Sequence, residues 1–273
     1  MRCKNKSKYK LKPLQLQNGV PSDAAAVLVF NPQIEFLDDE IKALKKYLEQ
    51  GGSLLATLSP YFNGVITKNF MRFLNSIGID HVNGIILDRL AAQQGAQAST
   101  PVVNFYKEHP ITKNFEGRTL YPISSFIQLK DGPYQWKKIV TSTPFPATWG
   151  EVNFDEVKLG KAAYNEGLDY EGPLNIIVAG EDKRDSRVLI SASTSFISNQ
   201  FKGQTNNFNL FLNSLSWLAR DEALMSLNRP SLKGNIIYVS DIHLSFVFYL
   251  VICVVPFIYF GLGIYFYRKK MNS

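Results

Sequence analysis

The 273-residue sequence predicts an α/β domain with a mostly parallel sheet and an added hairpin, followed by a single C-terminal membrane helix. Three observations carry this reading. A strand–helix–strand unit covers residues 24–58. Two apolar runs flank the charged turn EDKRDS at 181–186. Leu244 to Tyr267 is a stretch of twenty-four residues without one charge.

AAAVLVFNP (24–32) is apolar without alternation, which suits a strand covered on both faces. In FLDDEIKALKKYLEQGG, Asp38 is placed to cap a helix, and Asp39 and Glu40 fall in its first turn, where the dipole favours carboxylates. Ile41, Leu44 and Leu48 line one face, and Gly51 stands where a left-handed C-terminal residue is expected. SLLATL is then a second buried strand, making a β-α-β unit with an expected right-handed crossover. A second helix is predicted over Thr67–Ile77, with Phe70, Phe73, Leu74 and Ile77 inward and Gly78 as the stop. Residues 85–180 hold short strand-like runs, GIILD and KKIVTS, among Pro, Gly and polar turns. NIIVAG (175–180) and RVLISAS (187–193) read as the hairpin. NNFNLFLNSLSWLARDE is an amphipathic helix presenting Phe208, Phe211, Leu212, Leu215 and Leu218.

At about 1.5 Å per residue, Leu244–Tyr267 is long enough to cross a hydrocarbon core of roughly 30 Å. Pro256, Gly261 and Gly263 are tolerated in such a helix and predict a bend. Arg268, Lys269 and Lys270 form the membrane stop and favour a cytoplasmic C-terminus, which puts the body outside. The predicted order is a basic N-terminal segment (1–19), the α/β extracytoplasmic domain (20–228), a linker (229–243), the transmembrane helix and a basic tail (268–273). The basic start has no apolar h-region to export the body, so the chain reads as entering in the middle of a longer protein.

Charge narrows the partners. The net charge is +7, but Arg2, Lys4, Lys6, Lys8, Lys10, Lys12 and the three C-terminal cations hold nine of the 30 basic residues, leaving 21 against all 23 acids. The body lacks the basic footprint that nucleic-acid binding needs. The two cysteines, Cys3 and Cys253, cannot staple the body and have no metal-ligand spacing.

The sequence offers little chemistry. Gly51 and Gly52 follow a helix and precede a strand, the reverse of a phosphate loop. No G-x-S-x-G elbow occurs. His81, His109 and His243 pair with no nucleophile at readable spacing. Ligands of α/β sheets sit beyond the carboxyl ends of the strands, here Asn31, Ser59 and Ser193-Thr194-Ser195. These residues offer amides and hydroxyls but no carboxylate, thiolate or imidazole cluster, so no catalytic residue, metal or cofactor is assigned.

Several segments together resemble one family. VLVFNPQIEFLDDEIKALKKYLEQGGSLLATLSP, TPVVNFYKEHPITKNF, EGPLNIIVAGE, RVLISASTSFISNQ and NNFNLFLNSLSWLARDEALMSLNRPS are similar, in order, to segments of GldG-type auxiliary components of ABC transporters. The resemblance implies a flavodoxin-like or class I glutamine-amidotransferase-like domain, tethered in the bacterial inner membrane beside an ABC permease and its ATPase, this chain being the C-terminal half. Ser59 and Ala192-Ser193-Thr194-Ser195 replace carboxylates often found in the family, so no acidic activity carries over. The reading is a membrane-anchored, non-enzymatic accessory subunit. The alternatives are an envelope-glycan-binding module or an amidotransferase-like hydrolase.

Overall fold

The computed structural model describes residues 10–62, 67–93, 95–198, 205–221 and 248–271. The N-terminal basic run as far as residue 9, the 229–243 linker and His243 lie outside these residues.

The predicted β-α-β unit forms: β1 (Val27–Phe30), α1 (Asp38–Glu49) and β2 (Ser53–Thr57). β1 and β2 pair in parallel, Val27 opposite Leu54. Asp38 is the first helical residue rather than the cap. Leu37 takes the cap position, and Glu40 Oε2 accepts from its N–H at 2.9 Å. The carboxylate of the third helical residue thus does the work expected of Asp38. Gly51 follows α1 with φ 84°, a conformation that a side chain disfavours. The next helix, α2, covers Lys68–Ser76 and buries Phe70, Phe73 and Leu74, as its periodicity requires.

Between α2 and the hairpin come β3 (Ile79–Val82), β4 (Ile85–Asp88), α3 (Arg89–Gln93), β5 (Val102–Val103), β6 (Thr119–Leu120), β7 (Phe126–Leu129), β8 (Gln135–Thr141), β9 (Thr148–Glu151), α4 (Phe154–Lys158) and β10 (Tyr170–Glu171). The hairpin is β11 (Asn175–Glu181) and β12 (Arg187–Ser191), antiparallel from Ile177–Ser191 to Glu181–Arg187.

The main sheet among the described residues has seven strands in the order β1-β2-β12-β11-β7-β3, with β8 also on β11. β1, β2 and β12 are parallel neighbours, whereas β12, β7 and β8 each oppose β11, and β3 opposes β7. Five strands therefore share one direction and two, β11 and β3, run against them. This order differs from the 2-1-3-4-5 arrangement of flavodoxin-like sheets.

β2 is covered on both faces and all five of its residues are buried, which explains its lack of alternation, whereas β1 departs from that expectation: Val27 and Val29 are buried, Leu28 is half-buried and Phe30 is exposed. On one face Leu54, Ala56 and Leu58 pack with Leu44 and Leu48 of α1 and with Phe70, Phe73 and Leu74 of α2. On the other, Leu55 and Leu189 pack with Leu210, Trp217 and Leu218 of α5 (Asn207–Leu218). α5 is rotated from the predicted face. Leu210, Ser214, Trp217 and Leu218 are buried, while Phe208 is exposed and Phe211 and Leu215 are only partly covered. The indole of Trp217 is larger than any leucine on the helix, so its burial sets the rotation. β4, β9 and β10 form a small second sheet over Ile85, Leu87 and Trp149.

Among the described residues, one helix is long and apolar enough to cross a membrane, Leu250–Met271, with mean hydropathy 2.1. It opens with a π-helical segment, Leu250–Val254, and continues as α6, Val255–Met271. The π segment ends two residues before Pro256, which has no N–H to donate and whose ring crowds the carbonyl four residues back, within that segment. Arg268, Lys269 and Lys270 fall in its last turn.

Candidate functional site

The carboxyl ends of β1, β2 and β12 lie side by side because these three strands are parallel neighbours. β1 is followed by Asn31, whose N–H donates to Thr57 O at 2.8 Å and which takes a left-handed φ of 39°. β2 continues to Leu58, whose N–H donates to Ser191 O at 2.8 Å, and delivers Ser59 beside the end of β12.

There the hydroxyls bond one another. Ser59 Oγ donates to Thr194 Oγ1 at 2.8 Å. Thr194 Oγ1 lies 3.3 Å from Thr57 Oγ1. Ser193 and Ser195 share a 2.6 Å bond, and Ser195 Oγ also reaches Pro122 O at 3.1 Å. These bonds tie β2 to β12 and β12 to the 120s loop.

A cavity of about 420 Å³ opens beside this network, lined by Asn31, Gln33, Ser59, Pro60, Tyr61, Phe62, Pro122, Ile123 and Ser195. Three predicted residues, Asn31, Ser59 and Ser195, therefore meet at one cavity. Ser193, which is fully buried, and Thr194 are not among its lining residues; they bond the hydroxyls that are. Among the described residues, the walls carry amides, hydroxyls, aromatic rings and prolines, but no charged side chain. Ile123, on the far lip, has φ 50°, a strained conformation for a β-branched residue. Asn83 fixes the near lip through both amide atoms: Oδ1 accepts from Tyr61 N at 2.7 Å, and Nδ2 donates to Tyr61 O at 3.3 Å.

His81 corrects the expectation that no histidine meets a hydroxyl nucleophile. Its Nε2 is 2.6 Å from Ser125 Oγ, and its ring stands edge-on to Tyr61 at 5.5 Å. The pair is made by β3 pairing with β7, a contact 44 residues apart that sequence spacing cannot display. Its polarity is wrong for a general base. Ser125 Oγ donates to Ala192 O at 3.0 Å, and a carbonyl can only accept, so the imidazole is left as donor. Ser125 is also fully buried. Burial, opposed by Asp80, pushes the His81 pKa down to about 4, so the ring is neutral at pH 7. His109 is likewise held at about 4 by burial, with Lys137 and Arg187 adding to the effect. It packs against Trp217, centroids 5.1 Å apart, and serves the core.

Gln33, Tyr61, Phe62, Pro122 and Ile123 are cavity residues that the sequence did not single out. Tyr61 and Phe62 carried a local signal, as aromatic residues just past a strand end. Pro122 and Ile123 arrive from a loop whose position depends on Ser125 N bonding Ala192 O. Among the described residues, no three His, Cys, Asp or Glu side chains converge as metal ligands.

Comparison with known proteins agrees with the resemblance seen in the segments. The profile of the "ABC-type uncharacterized transport system" family matches residues 3–224. The chain belongs to this family. No curated protein is significantly similar to it. Among solved structures, the mmIFT52 N-terminal domain is 15% identical, with 70% of this chain and 76% of that one covered and a TM-score of 0.52. That likeness shows a shared fold alone. A protein described as ThuA-like, from Bacteroides uniformis ATCC 8492, is also 15% identical over 71% of this chain and 69% of its own, with a TM-score of 0.36. This transport-system auxiliary thus places a cavity lined by amides, hydroxyls and rings at the carboxyl ends of its parallel strands.

Proposed function

We propose that this chain is a membrane-anchored, non-enzymatic auxiliary subunit of a bacterial ABC transport system, of the gliding-motility or export type, which docks a partner or cargo beside the permease. Residues 20–228 are the extracytoplasmic body, 229–243 the linker, 244–267 the inner-membrane anchor and 268–273 the cytoplasmic tail. ATP hydrolysis belongs to the ATPase subunit and passage of the substrate to the permease.

One observation carries the non-enzymatic part. The hydroxyls at the strand ends are spent on one another and on main-chain carbonyls, while no described residue lining the cavity beside them is charged. Such a site can hold a neutral group but cannot activate a nucleophile. Asn31, Ser59 and Ser195 form the docking face, with Ser193 and Thr194 bracing it from behind. The family match supports association with an ABC transport system, and the basic last turn of the membrane helix supports the topology.

A second reading, binding of an envelope glycan, is favoured by the half-exposed Phe62 ring beside amides and hydroxyls, the usual furniture of a sugar site. A tethered hydrolase would have to use Ser125 and His81, whose hydrogen bonds run the wrong way.

Affinity purification of the tagged full-length chain from native membranes tests the proposal. The expected result is co-purification of an ABC permease and ATPase. Recovery without either would sink it.

A further inference from the structure

β1 is an edge of the main sheet, and its ladder to β2 uses half of its main-chain groups. Asn31 N donates to Thr57 O, so the alternation of strand peptides turns Val27 and Val29 toward β2. Leu28 and Phe30 therefore direct their N–H and C=O away from the sheet. Among the described residues, no main-chain hydrogen bond outside the β1–β2 ladder reaches Leu28 or Phe30. Proteins protect such edges with lysine, proline or a bulge, and the sequence Val-Leu-Val-Phe has none of these. Phe30 and Ile34 add exposed apolar surface, 44% and 83% accessible.

The edge leads directly into the cavity, since Asn31, the residue after β1, is one of its lining residues. Among the described residues, neither the edge strand nor the cavity wall carries a charged side chain, so a charged occupant would lose its water without compensation there. The cavity is bordered by two non-glycine residues in left-handed conformation, Asn31 and Ile123. Strain of this kind persists where surrounding structure enforces it, and it clusters at ligand clamps.

We infer that β1 is a strand-addition site: an uncharged, extended peptide segment of a partner protein pairs its main chain with Leu28 and Phe30 and lays its following side chain in the cavity beside Asn31, Ser59 and Phe62. The inference rests on the docking reading and gives it a chemistry. Peptide fits better than sugar because only a peptide backbone repeats donor and acceptor at the spacing of Leu28 and Phe30. It fits better than β1 of a second copy because two-fold pairing of the edges would leave both cavities unfilled.

The test is selection of a phage-displayed random octapeptide library on the full-length chain in detergent micelles. Synthetic versions of the enriched peptides are then examined by amide hydrogen exchange. Expected are uncharged, β-branched-rich peptides that slow exchange at Leu28 and Phe30 and leave Val27 and Val29 unchanged. Leu28→Pro removes an outward N–H without touching the β1–β2 ladder and should weaken binding by about tenfold or more. Should that variant fail to fold, Phe62→Ala provides the second arm, with weakened binding expected again. Failure to enrich any peptide overturns the inference, as does binding that leaves Leu28 and Phe30 exchange unchanged. Protection of the same amides by chitotriose overturns it in favour of glycan. Self-association lost on Leu28→Pro overturns it in favour of a second copy. Co-purification of permease and ATPase with no peptide binding removes this site alone, whereas peptide binding without co-purification removes the transport reading alone.

Discussion

The two poles of the parallel strands are built on opposite chemistry. At the carboxyl ends lie hydroxyls, amides, a 420 Å³ cavity and left-handed residues at its lips. At the amino ends the surface is closed by cations bonded to carbonyls. Arg187 Nη1 donates to Trp217 O at 2.7 Å, its guanidinium lies 5.2 Å from the Trp217 ring, and Nε pairs with Glu181 at 2.8 Å. Arg220 Nη2 donates to Gly51 O at 3.1 Å and also to Asp185 O. Ser186 Oγ reaches Gly52 O at 2.9 Å. These bonds satisfy carbonyls at the C-terminus of α5 and at the turn after α1, where a positive charge is also favoured by the helix dipole. One pole therefore holds the sheet to α5, and the other presents the cavity that we propose as the docking face.

The largest effect that can separate the poles is at Trp217, 1% exposed. Trp217→Ala should cost about 3–5 kcal/mol, read by urea denaturation of the full-length chain in detergent. Arg187→Ala comes next, at about 1–3 kcal/mol, since it removes a charged hydrogen bond and a stacked cation together. A loss below a few tenths of a kcal/mol for either would dissolve the distinction.

Titration places the next test between the poles. His81 and His109 have folded-state values of about 4 against 6.5 for the free group. Folding thus favours their neutral forms, and the stability this contributes is fully present above about pH 6.5 and is lost as pH falls toward 4. The denaturation midpoint should fall across that window, and His81→Gln should flatten part of the fall. A midpoint independent of pH there would refute the burial of both rings.

The smallest effects belong to the cavity. Ser59→Ala should change stability by under about 1 kcal/mol, because the Thr194 hydroxyl can still donate to Leu58 O or Thr57 Oγ1. Ile123→Gly relieves a left-handed backbone and should leave the midpoint unchanged or raise it, by up to about 1 kcal/mol, despite the lost side chain. A loss of several kcal/mol at Ile123 would show that the lip is a structural corner rather than a strained binding edge.

Much of the sheet's parallel half was legible, because helix periodicity and apolar runs are local signals. Ile41, Leu44 and Leu48 are buried as their spacing requires, and the 175–191 hairpin forms around its charged turn. The other half was not. β7 and β8 both join β11 through segments whose runs are short and whose partners lie 34 or more residues away. The site divides in the same manner. Asn31 and Ser59 follow strand ends visible in the sequence, whereas Pro122, Ile123 and the His81–Ser125 pair depend on non-local pairing. The cap at Leu37 and the rotation of α5 show side-chain reach and ring size overriding simple position rules.

Site-specific photo-crosslinking in native membranes tests the division of labour most directly. A crosslinking residue replaces Phe62 at the cavity in one variant and Lys183 at the arginine pole in another. If the cavity is the docking face, the position-62 probe yields a discrete adduct to a transport-system partner and the position-183 probe yields none. Adducts from position 183 alone would contradict it.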